Sequence, residues 1–331
     1  MDLFELFTFA VFFLTLVGIY GILALGLNVQ WGMTGLFNIG IAGFFAIGAY
    51  TSAIMTTPAS SGHVGGFGLP MPVGLVLGVL FSSFIALLVG LITLNLREDY
   101  LAIATIGIAE IIRLVLKNEE WLTNGVRGIA GIPRPFAGWF EDPTGVTNLL
   151  VVCLVIVMVY AALERGRQSP WGRVMRAIRE REVAVMAAGK DIVRFRLESF
   201  VLGSAIMGLA GGLYAHFFGF VSPEAFDPMY TTFLIWVMLI AGGSGNNRGA
   251  LLGALAIWTI WAGTEYLTNR FAPPEFLTRA ATVRMLLVGL LLEVILLTRP
   301  AGLLPEAHFV ARADDRRSTA PGTSDSGDGD D

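Results

Sequence analysis

Long apolar runs recur along the 331-residue chain, and each has the length needed to cross a lipid bilayer as a helix. About 20 apolar residues span the roughly 30 Å hydrocarbon core. The sequence indicates nine membrane spans. The polar breaks near residues 28–34 and 97–99 are short enough to be re-entrant, so the number of spans lies between eight and ten. The pattern predicts an all-α, polytopic membrane bundle with spans at 3–27, 34–56, 70–96, 100–117, 147–163, 197–219, 229–246, 249–267 and 281–299.

The composition supports a membrane protein, because charged residues make up only 15% of the chain and hydrophobic residues 55%. A soluble domain carries about 25% charged residues, so this chain has too few to cover its surface in water. The first run, "MDLFELFTFAVFFLTLVGIYGILALGL", lacks the basic region and small-residue cleavage site of a signal peptide. It is therefore expected to be a retained first span.

The basic residues are concentrated in one loop. Nine of the 22 Lys and Arg lie at positions 165–196, and short basic loops stay in the cytoplasm. Residues 164–196 are thus expected to be a cytoplasmic loop within a membrane domain at 1–305, and alternation of the spans puts the C-terminus inside as well. Residues 306–331 end in "RADDRRSTAPGTSDSGDGDD", which has no large apolar residue, so this acidic cytoplasmic tail is expected to be disordered.

Two runs are rich in small residues, "GMTGLFNIGIAGFFAIGAY" at 32–50 and "FVLGSAIMGLAGGLYAHF" at 200–217. On a helix with about 100° per residue, small side chains of each run fall on one stripe. Helices in lipid associate through close packing, and small residues line their contacts. The stripes predict interior helices that pack through Gly35, Ala42, Ala46, Gly208 and Gly211.

Ionisable and polar residues also occur deep within the runs. Glu110 and Arg113 lie one turn apart in "YLAIATIGIAEIIRLVLK". Such groups pair with one another or face a water-filled cavity, so this pair is either a structural ion pair or a polar patch beside a translocation path. Further path candidates are Asn38, Thr105 and His216, although a lone histidine near a helix end also fits a hydrogen-bonded packing role.

Each candidate enzymatic motif in the sequence lacks a residue that its chemistry requires. The sequence has no GxxxxGK[ST], so it has no P-loop for ATP. The GxSG at 242–245 is typical of rhomboid-type intramembrane proteases, but the serine needs a histidine on a later membrane helix, and only His308 follows. One cysteine and three histidines supply no metal site or catalytic constellation. The chain is therefore expected to be no enzyme and to hold no metal or cofactor.

The loop sequence "ERGRQSPWGRVMRAIREREVAVMAAGKDIVRFRLESF" predicts two helical segments. Ser169 can cap a helix that starts at Pro170, and a second run from Glu182 stops at Gly189. Its contact surface is either the membrane or another protein, and the small residues of "EVAVMAAG" favour a protein. The first segment has an apolar face of Trp171, Val174, Met175 and Ile178, opposite Arg173, Arg176, Arg179 and Glu180.

This loop resembles the coupling segment of LivM-type permeases, the membrane subunits of ABC importers for branched-chain amino acids. In that family "GRxxRAIRE" is followed by an Ala-rich helix ending in Gly. The resemblance covers roughly residues 20 to 305 and departs at Ser244, where the family usually has an apolar residue. Further matching blocks, in order, are "LALGLNVQWGMTGLFNIGIAGFFAIGAYTSAI", "LREDYLAIATIGIAEIIRLVLKN", "TNGVRGIAGIP", "LAGGLYAHFFGFVSPEAF", "LIAGGSGNNRGALLGA" and "RPAGLLPE".

The resemblance implies a multi-pass subunit of the cell membrane in an ATP-driven importer of neutral aliphatic amino acids. The implied partners are a second, LivH-like permease, two cytoplasmic ATP-binding subunits that carry ATP and Mg, and an external solute-binding protein, with no nucleic acid. Importers of urea and short amides share these motifs and remain an alternative, as does a secondary transporter, which would need coupling-ion sites. The residues implied in coupling to the ATPase are Arg173, Arg176, Arg179, Glu182, Ala187, Ala188 and Gly189.

Overall fold

The computed structural model describes residues 3–59, 62–96, 98–135, 144–271 and 274–306. These residues form eleven α-helices and one two-stranded antiparallel ladder of β1 (Ile129–Ala130) and β2 (Phe220–Val221). The helices are α1 (Leu3–Leu27), α2 (Ile41–Thr56), α3 (Met71–Thr93), α4 (Glu98–Asn118), α5 (Glu120–Thr123), α6 (Val146–Gln168), α7 (Pro170–Ala187), α8 (Ile192–Phe218), α9 (Pro228–Gly242), α10 (Asn247–Phe271) and α11 (Pro274–Thr298).

Each of the nine predicted apolar runs falls on one of these helices, and the all-α membrane bundle is confirmed. Five helices of the described chain are long and apolar enough to cross a bilayer. They are α1 with its continuation to residue 33, α3, α6, α8 and α10, while α2, α9 and the second half of α11 are shorter apolar helices. The predicted tail at 306–331 lies, from residue 307 onward, outside the described residues.

The polar break after α1 is not a re-entrant loop. Residues Asn28–Met33 continue α1 as a π-helix, and α2 starts only at Ile41. The run predicted as a span from residue 34 is therefore non-helical over residues 35–40. Gly35 has φ +74°, a conformation that ends the helix and is easy only for glycine. The second polar break includes residue 97, which lies outside the described residues.

The centre of the bundle is formed by α2, α3 and α8, which pack on one another more closely than any other helices described. Ala42 and Ala46 are buried there. A methyl group on Gly48 would overlap the carbonyl oxygen of Gly208, and one on Gly211 would overlap that of Phe45. Backbones therefore approach directly at this contact. Gly35 lies in the non-helical segment and not on the predicted stripe.

One end of the bundle carries α7 and is called the α7 end below. Trp171 of α7 donates a hydrogen bond to Glu198 of α8 (2.9 Å), so α7 folds back on the start of α8. The segment after α11 also reaches this end. There the Leu303 and Leu304 amides donate hydrogen bonds to the carbonyls of Ala241 and Gly242, each at 2.9 Å.

Candidate functional site

The helical structure is interrupted inside the bundle at residues 35–40, called the break below. Thr105, which bonds the backbone of the break, lies seven residues from the start of α4. This separation corresponds to about 10 Å along the helix axis. Non-helical backbone at membrane depth is tolerated only where protein buries it or where it lines a cavity. The break is therefore the part of the bundle where a path for solute is expected.

Side chains of neighbouring helices satisfy the backbone of the break. The amide of Ile39 donates to Thr105 Oγ1 (3.0 Å), and the carbonyl of Ile39 accepts from Thr232 Oγ1 (3.1 Å). The carbonyl of Asn38 accepts from Trp236 Nε1 (3.1 Å). The predicted path residue Thr105 thus holds the break in place on the α4 side, and α9 holds it on the other.

Asn38, the second path candidate, turns its side chain into the protein. Its Nδ2 donates to Gln30 Oε1 (2.8 Å) and its Oδ1 accepts from the Gly40 amide (2.7 Å). Gln30 in turn donates to the Phe200 carbonyl (2.8 Å) and to Ser204 (3.1 Å) on α8. Because Asn38 and Gln30 are both fully buried, this network fixes the shape of the break from behind.

An apolar cavity of about 550 Å³ lies in front of the break. Three aromatic rings form one of its walls: Trp31 is 5.3 Å from Trp236 and 5.5 Å from Phe37, and Phe37 is 4.9 Å from Trp236, between ring centroids. The complete lining is Trp31, Phe37, Ile39, Ile106, Pro228, Met229, Thr232, Phe233, Trp236 and Ile240.

A second cavity, of about 460 Å³, opens at the α7 end and is called the charged cavity below. Trp31 lines both cavities. Trp31 therefore stands between the apolar cavity and the charged one. The charged cavity is lined by Trp31, Gly35, Arg179, Ser244, Ala301, Pro305 and Glu306.

Arg179 links α7 to the residue next to Trp31 and to the C-terminal segment. Its guanidinium donates to the carbonyl of Gly32, the residue after Trp31, and pairs with Glu306 (2.6 Å). The side chains of Arg179 and Glu306 are 25% and 16% exposed, respectively, so the pair lies mostly inside the protein. The sequence placed Arg179 on the outer face of α7 with Arg173 and Arg176, whereas only Arg173 is exposed there.

Helix α7 has the ends that the sequence predicts. Ser169 accepts a hydrogen bond from the Gly172 amide (3.4 Å) at the start, and Gly189 follows the last turn with φ +73°. Both predictions are confirmed. Arg181, with φ −149° and ψ 80°, kinks α7 between its two segments.

Beyond the kink, α7 presents an exposed apolar surface. Ala187, Ala188 and Val183 are exposed, Val183 to 75%, while Glu182 pairs with Arg196 (3.0 Å). A groove of about 440 Å³ runs along this surface with charged residues at its rim. The groove is lined by Val174, Ala177, Glu180, Arg181, Ala184, Val185, Ala188 and Lys190, and is called the docking groove below.

Glu110 and Arg113 form a bidentate ion pair with distances of 2.9 and 2.5 Å. The pair extends to Glu224, which lies 3.6 Å from Arg113 and accepts a hydrogen bond from Lys117 (2.9 Å). Lys117 holds the pKa of the Glu224 carboxyl below its usual range. None of the four residues lines either of the two cavities described above, so the geometry favours the structural interpretation of the pair.

Glu110→Gln alone is expected to destabilise the protein more than the double variant Glu110→Gln, Arg113→Leu. The single change leaves a guanidinium that is 16% exposed without its bidentate partner, whereas the double change removes the charge as well. Because Glu110 is 40% exposed, we expect a difference of about 1 kcal/mol. Thermal unfolding in detergent measures it. Equal melting of both variants, with transport lost only in the single one, would instead place the pair beside the path.

His216, the remaining path candidate, is fully buried. Its Nε2 lies 2.9 Å from Ser52 Oγ and its Nδ1 lies 2.7 Å from the Pro133 carbonyl. Both ring nitrogens are thus engaged with protein atoms, and the ring ties α8 to α2 and to the segment after β1. This arrangement matches the hydrogen-bonded packing role and not a path-lining one.

Comparison with known proteins agrees with this architecture. The sequence model of the family described as "Branched-chain amino acid transport system / permease component" matches residues 9–296. The high-affinity branched-chain amino acid transport system permease protein LivM of Salmonella typhimurium is 34% identical over 314 residues, which cover 88% of this chain and 69% of the relative.

Two further relatives extend the comparison. A probable branched-chain amino acid transport permease protein LivM of Methanocaldococcus jannaschii is 29% identical, covering 88% of this chain and 92% of its own. The LivH permease of Salmonella typhimurium is 24% identical, covering 86% and 93%. No solved structure matches the chain. The chain belongs to the family of permease components of branched-chain amino acid transport systems, and within it resembles LivM.

Proposed function

We propose that this chain is the membrane-spanning permease subunit of an ATP-driven importer that moves branched-chain amino acids into the cell. The observation that carries the proposal is the connection from the docking groove on α7, through Arg179, to the segment next to the apolar cavity. A surface for a partner and a chamber for an aliphatic solute are thereby joined within one chain.

The proposed assembly contains a second, LivH-like permease, two ATP-binding subunits and an external solute-binding protein. The α7 end faces the cytoplasm, where the ATP-binding subunits hold ATP and Mg. Short basic loops stay on that side, and α7 with its flanking residues is the most basic part of the chain. The C-terminal segment 299–306 then lies in the cytoplasm too, since it packs at the same end.

In the proposed mechanism, ATP binding moves the ATPase subunits and α7 moves with them. Arg179 carries the motion to Gly32 and so to Trp31, the residue between the two cavities. The path then opens alternately to the two sides. Solute and ATP influence each other only because each binds the two states with different affinity.

The apolar cavity favours aliphatic amino acids over the alternative solutes, urea and short amides. Apart from the indole N–H groups of Trp31 and Trp236, its lining contains one polar side chain, Thr232, whose hydroxyl already donates to the Ile39 carbonyl. Urea presents only polar groups, and removing such groups from water without hydrogen-bonding partners is unfavourable. An aliphatic side chain gains from the same transfer.

Uptake into proteoliposomes tests the function directly. The complex of both permeases and the ATPase subunits, with the partnered binding protein outside, is expected to accumulate leucine, isoleucine and valine only when ATP is supplied to the ATPase side. Accumulation of urea but not leucine would move the chain to the urea importers. Uptake driven by an ion gradient in vesicles without the ATPase subunits would make it a secondary transporter.

The double variant Ala187→Glu, Ala188→Glu is expected to release the ATPase subunits while the permease still inserts. Both alanines are exposed, and Ala188 lines the docking groove. Carboxylates there would have to lose water against a partner. Co-purification of the ATPase with the tagged permease measures the loss, expected to be about tenfold. Arg194→Glu, at an exposed site outside the groove, is the control. Full retention of the ATPase by the double variant would show that the ATPase subunit does not bind at the docking groove.

A further inference from the structure

We propose that the apolar cavity in front of the break is the subsite that receives the aliphatic side chain of the transported solute. The aromatic group of Trp31, Phe37 and Trp236 closes this subsite toward the charged cavity. The inference deepens the proposed function and rests on it, because it assigns the place in the permease where the solute is held.

The dimensions and chemistry of the cavity fit this role. Its volume of about 550 Å³ lies within the roughly 300–1,000 Å³ of small-molecule sites, which are lined mainly by hydrophobic and aromatic side chains. The walls come from the π-helical end of α1, the break, α4 and α9, so four parts of the fold converge on one chamber. The amino and carboxylate groups of the solute would lie outside this apolar chamber, whereas a branched aliphatic group fits within it.

The wall of the cavity is fixed more firmly than a lipid-facing surface requires. Trp236 and Thr232 both line the cavity and donate hydrogen bonds to the backbone of the break, and Asn38 is held from behind by Gln30. A lipid-facing helix satisfies its backbone internally and needs no such bonds. Side chains held in place by hydrogen bonds behind them are typical of a preorganised binding site.

The position of Trp31 supports a closing role for the aromatic group. Trp31 contributes to both cavities, and it is followed by Gly32, whose carbonyl accepts a hydrogen bond from Arg179. A displacement of Arg179 would thus act one residue away from the partition. An ordinary packing cluster would have neither a cavity on each side nor a direct link to the docking helix.

Size-selective uptake tests the subsite. In the complete complex, Ile106→Trp is expected to lower leucine uptake about tenfold and alanine uptake much less, because the new indole fills the cavity that a larger solute needs. Ile103→Trp is the matched control. It lies on the same helix and is 68% exposed, but it does not line the cavity, and we expect its uptake of both solutes to equal that of the parent.

Thiol protection provides a readout that does not depend on transport rates. Cys153 is the single cysteine of the chain, so Cys153→Ser gives a cysteine-free permease chain into which Ile39→Cys can be introduced. Ile39 lines the cavity. Leucine, delivered by the binding protein, is expected to slow labelling of this cysteine by a small water-soluble thiol reagent at least about threefold. Glycine is expected not to slow it.

Three results would overturn the inference. Equal loss of both solutes in Ile106→Trp, together with loss of the second permease from the complex, would make the cavity a permease–permease interface. Equal uptake by Ile106→Trp and Ile103→Trp, without protection at Ile39→Cys, would make it a lipid-facing groove. A parent complex that imports no leucine would remove the proposed function and this inference together, whereas the first two results leave the proposed function intact.

Discussion

A complex carrying Arg179→Ala is expected to hydrolyse ATP but to import leucine at least about tenfold more slowly than the wild type. The guanidinium joins the docking helix to two separate groups, the Gly32 carbonyl and the Glu306 carboxylate, and alanine reaches neither. Removing it also leaves Glu306, only 16% exposed, without the partner of its ion pair, which is unfavourable. ATP hydrolysis should persist because Arg179 does not line the docking groove.

Conservative variants separate the charge of Arg179 from its geometry. Arg179→Lys keeps the charge but loses the planar fork that bonds two acceptors at once, so an intermediate rate is expected. Arg194→Ala is the control, since its ion pair with Glu198 is exposed and such pairs contribute little. ATP hydrolysis and leucine uptake are measured in the same proteoliposomes. An Arg179→Ala complex that imports as much leucine per ATP as the wild type would contradict the linkage.

The helices and the ends of α7 could be predicted from sequence because the signals for them are local. A run of about 20 apolar residues is sufficient to indicate a membrane helix. In the same way, the hydroxyl of Ser169 caps the helix that starts at the next residue, and Gly189 adopts the positive φ that a C′ position favours. Each feature depends on residues within a few positions of one another.

The break and the position of Arg179 could not be predicted in this way because their causes are distant in sequence. Residues 35–40 include the apolar Leu36, Phe37 and Ile39 and lead directly into the apolar helix α2, so hydropathy indicates one continuous run. Their non-helical backbone depends on Thr105 and Thr232 as hydrogen-bonding partners. Arg179 fits the polar face of an amphipathic helix, and its inward partners, the Gly32 carbonyl and the Glu306 carboxylate, lie 147 and 127 positions away. The local sequence signal of the break is Gly35, which lies between the polar residues Gln30 and Asn38.

The contact of α2 with α8 is the place where the bundle tolerates least added volume. Gly48 and Gly208 face each other, and a methyl group on Gly48 would overlap the Gly208 carbonyl oxygen and lie 2.5 Å from its Cα. Both obstacles are backbone atoms, which cannot rotate away as a flexible side chain can. The neighbouring Ser82 of α3 closes the other side of Gly208, so the helices can separate only by repacking the centre of the bundle.

Gly48→Ala is therefore expected to destabilise the bundle by about 3 kcal/mol or more, at the upper end of what overpacking does in a well-packed core. The sign of the stability change distinguishes the two situations, because a glycine-to-alanine change at an unobstructed helix position stabilises a helix by about 1 kcal/mol. Gly107→Ala on α4 is that control, since nothing lies within 4 Å of its added methyl group. Thermal unfolding and the yield of monodisperse complex in detergent measure both variants. If Gly48→Ala melts at or above the wild-type temperature, as Gly107→Ala should, α2 and α8 do not meet backbone to backbone at this position.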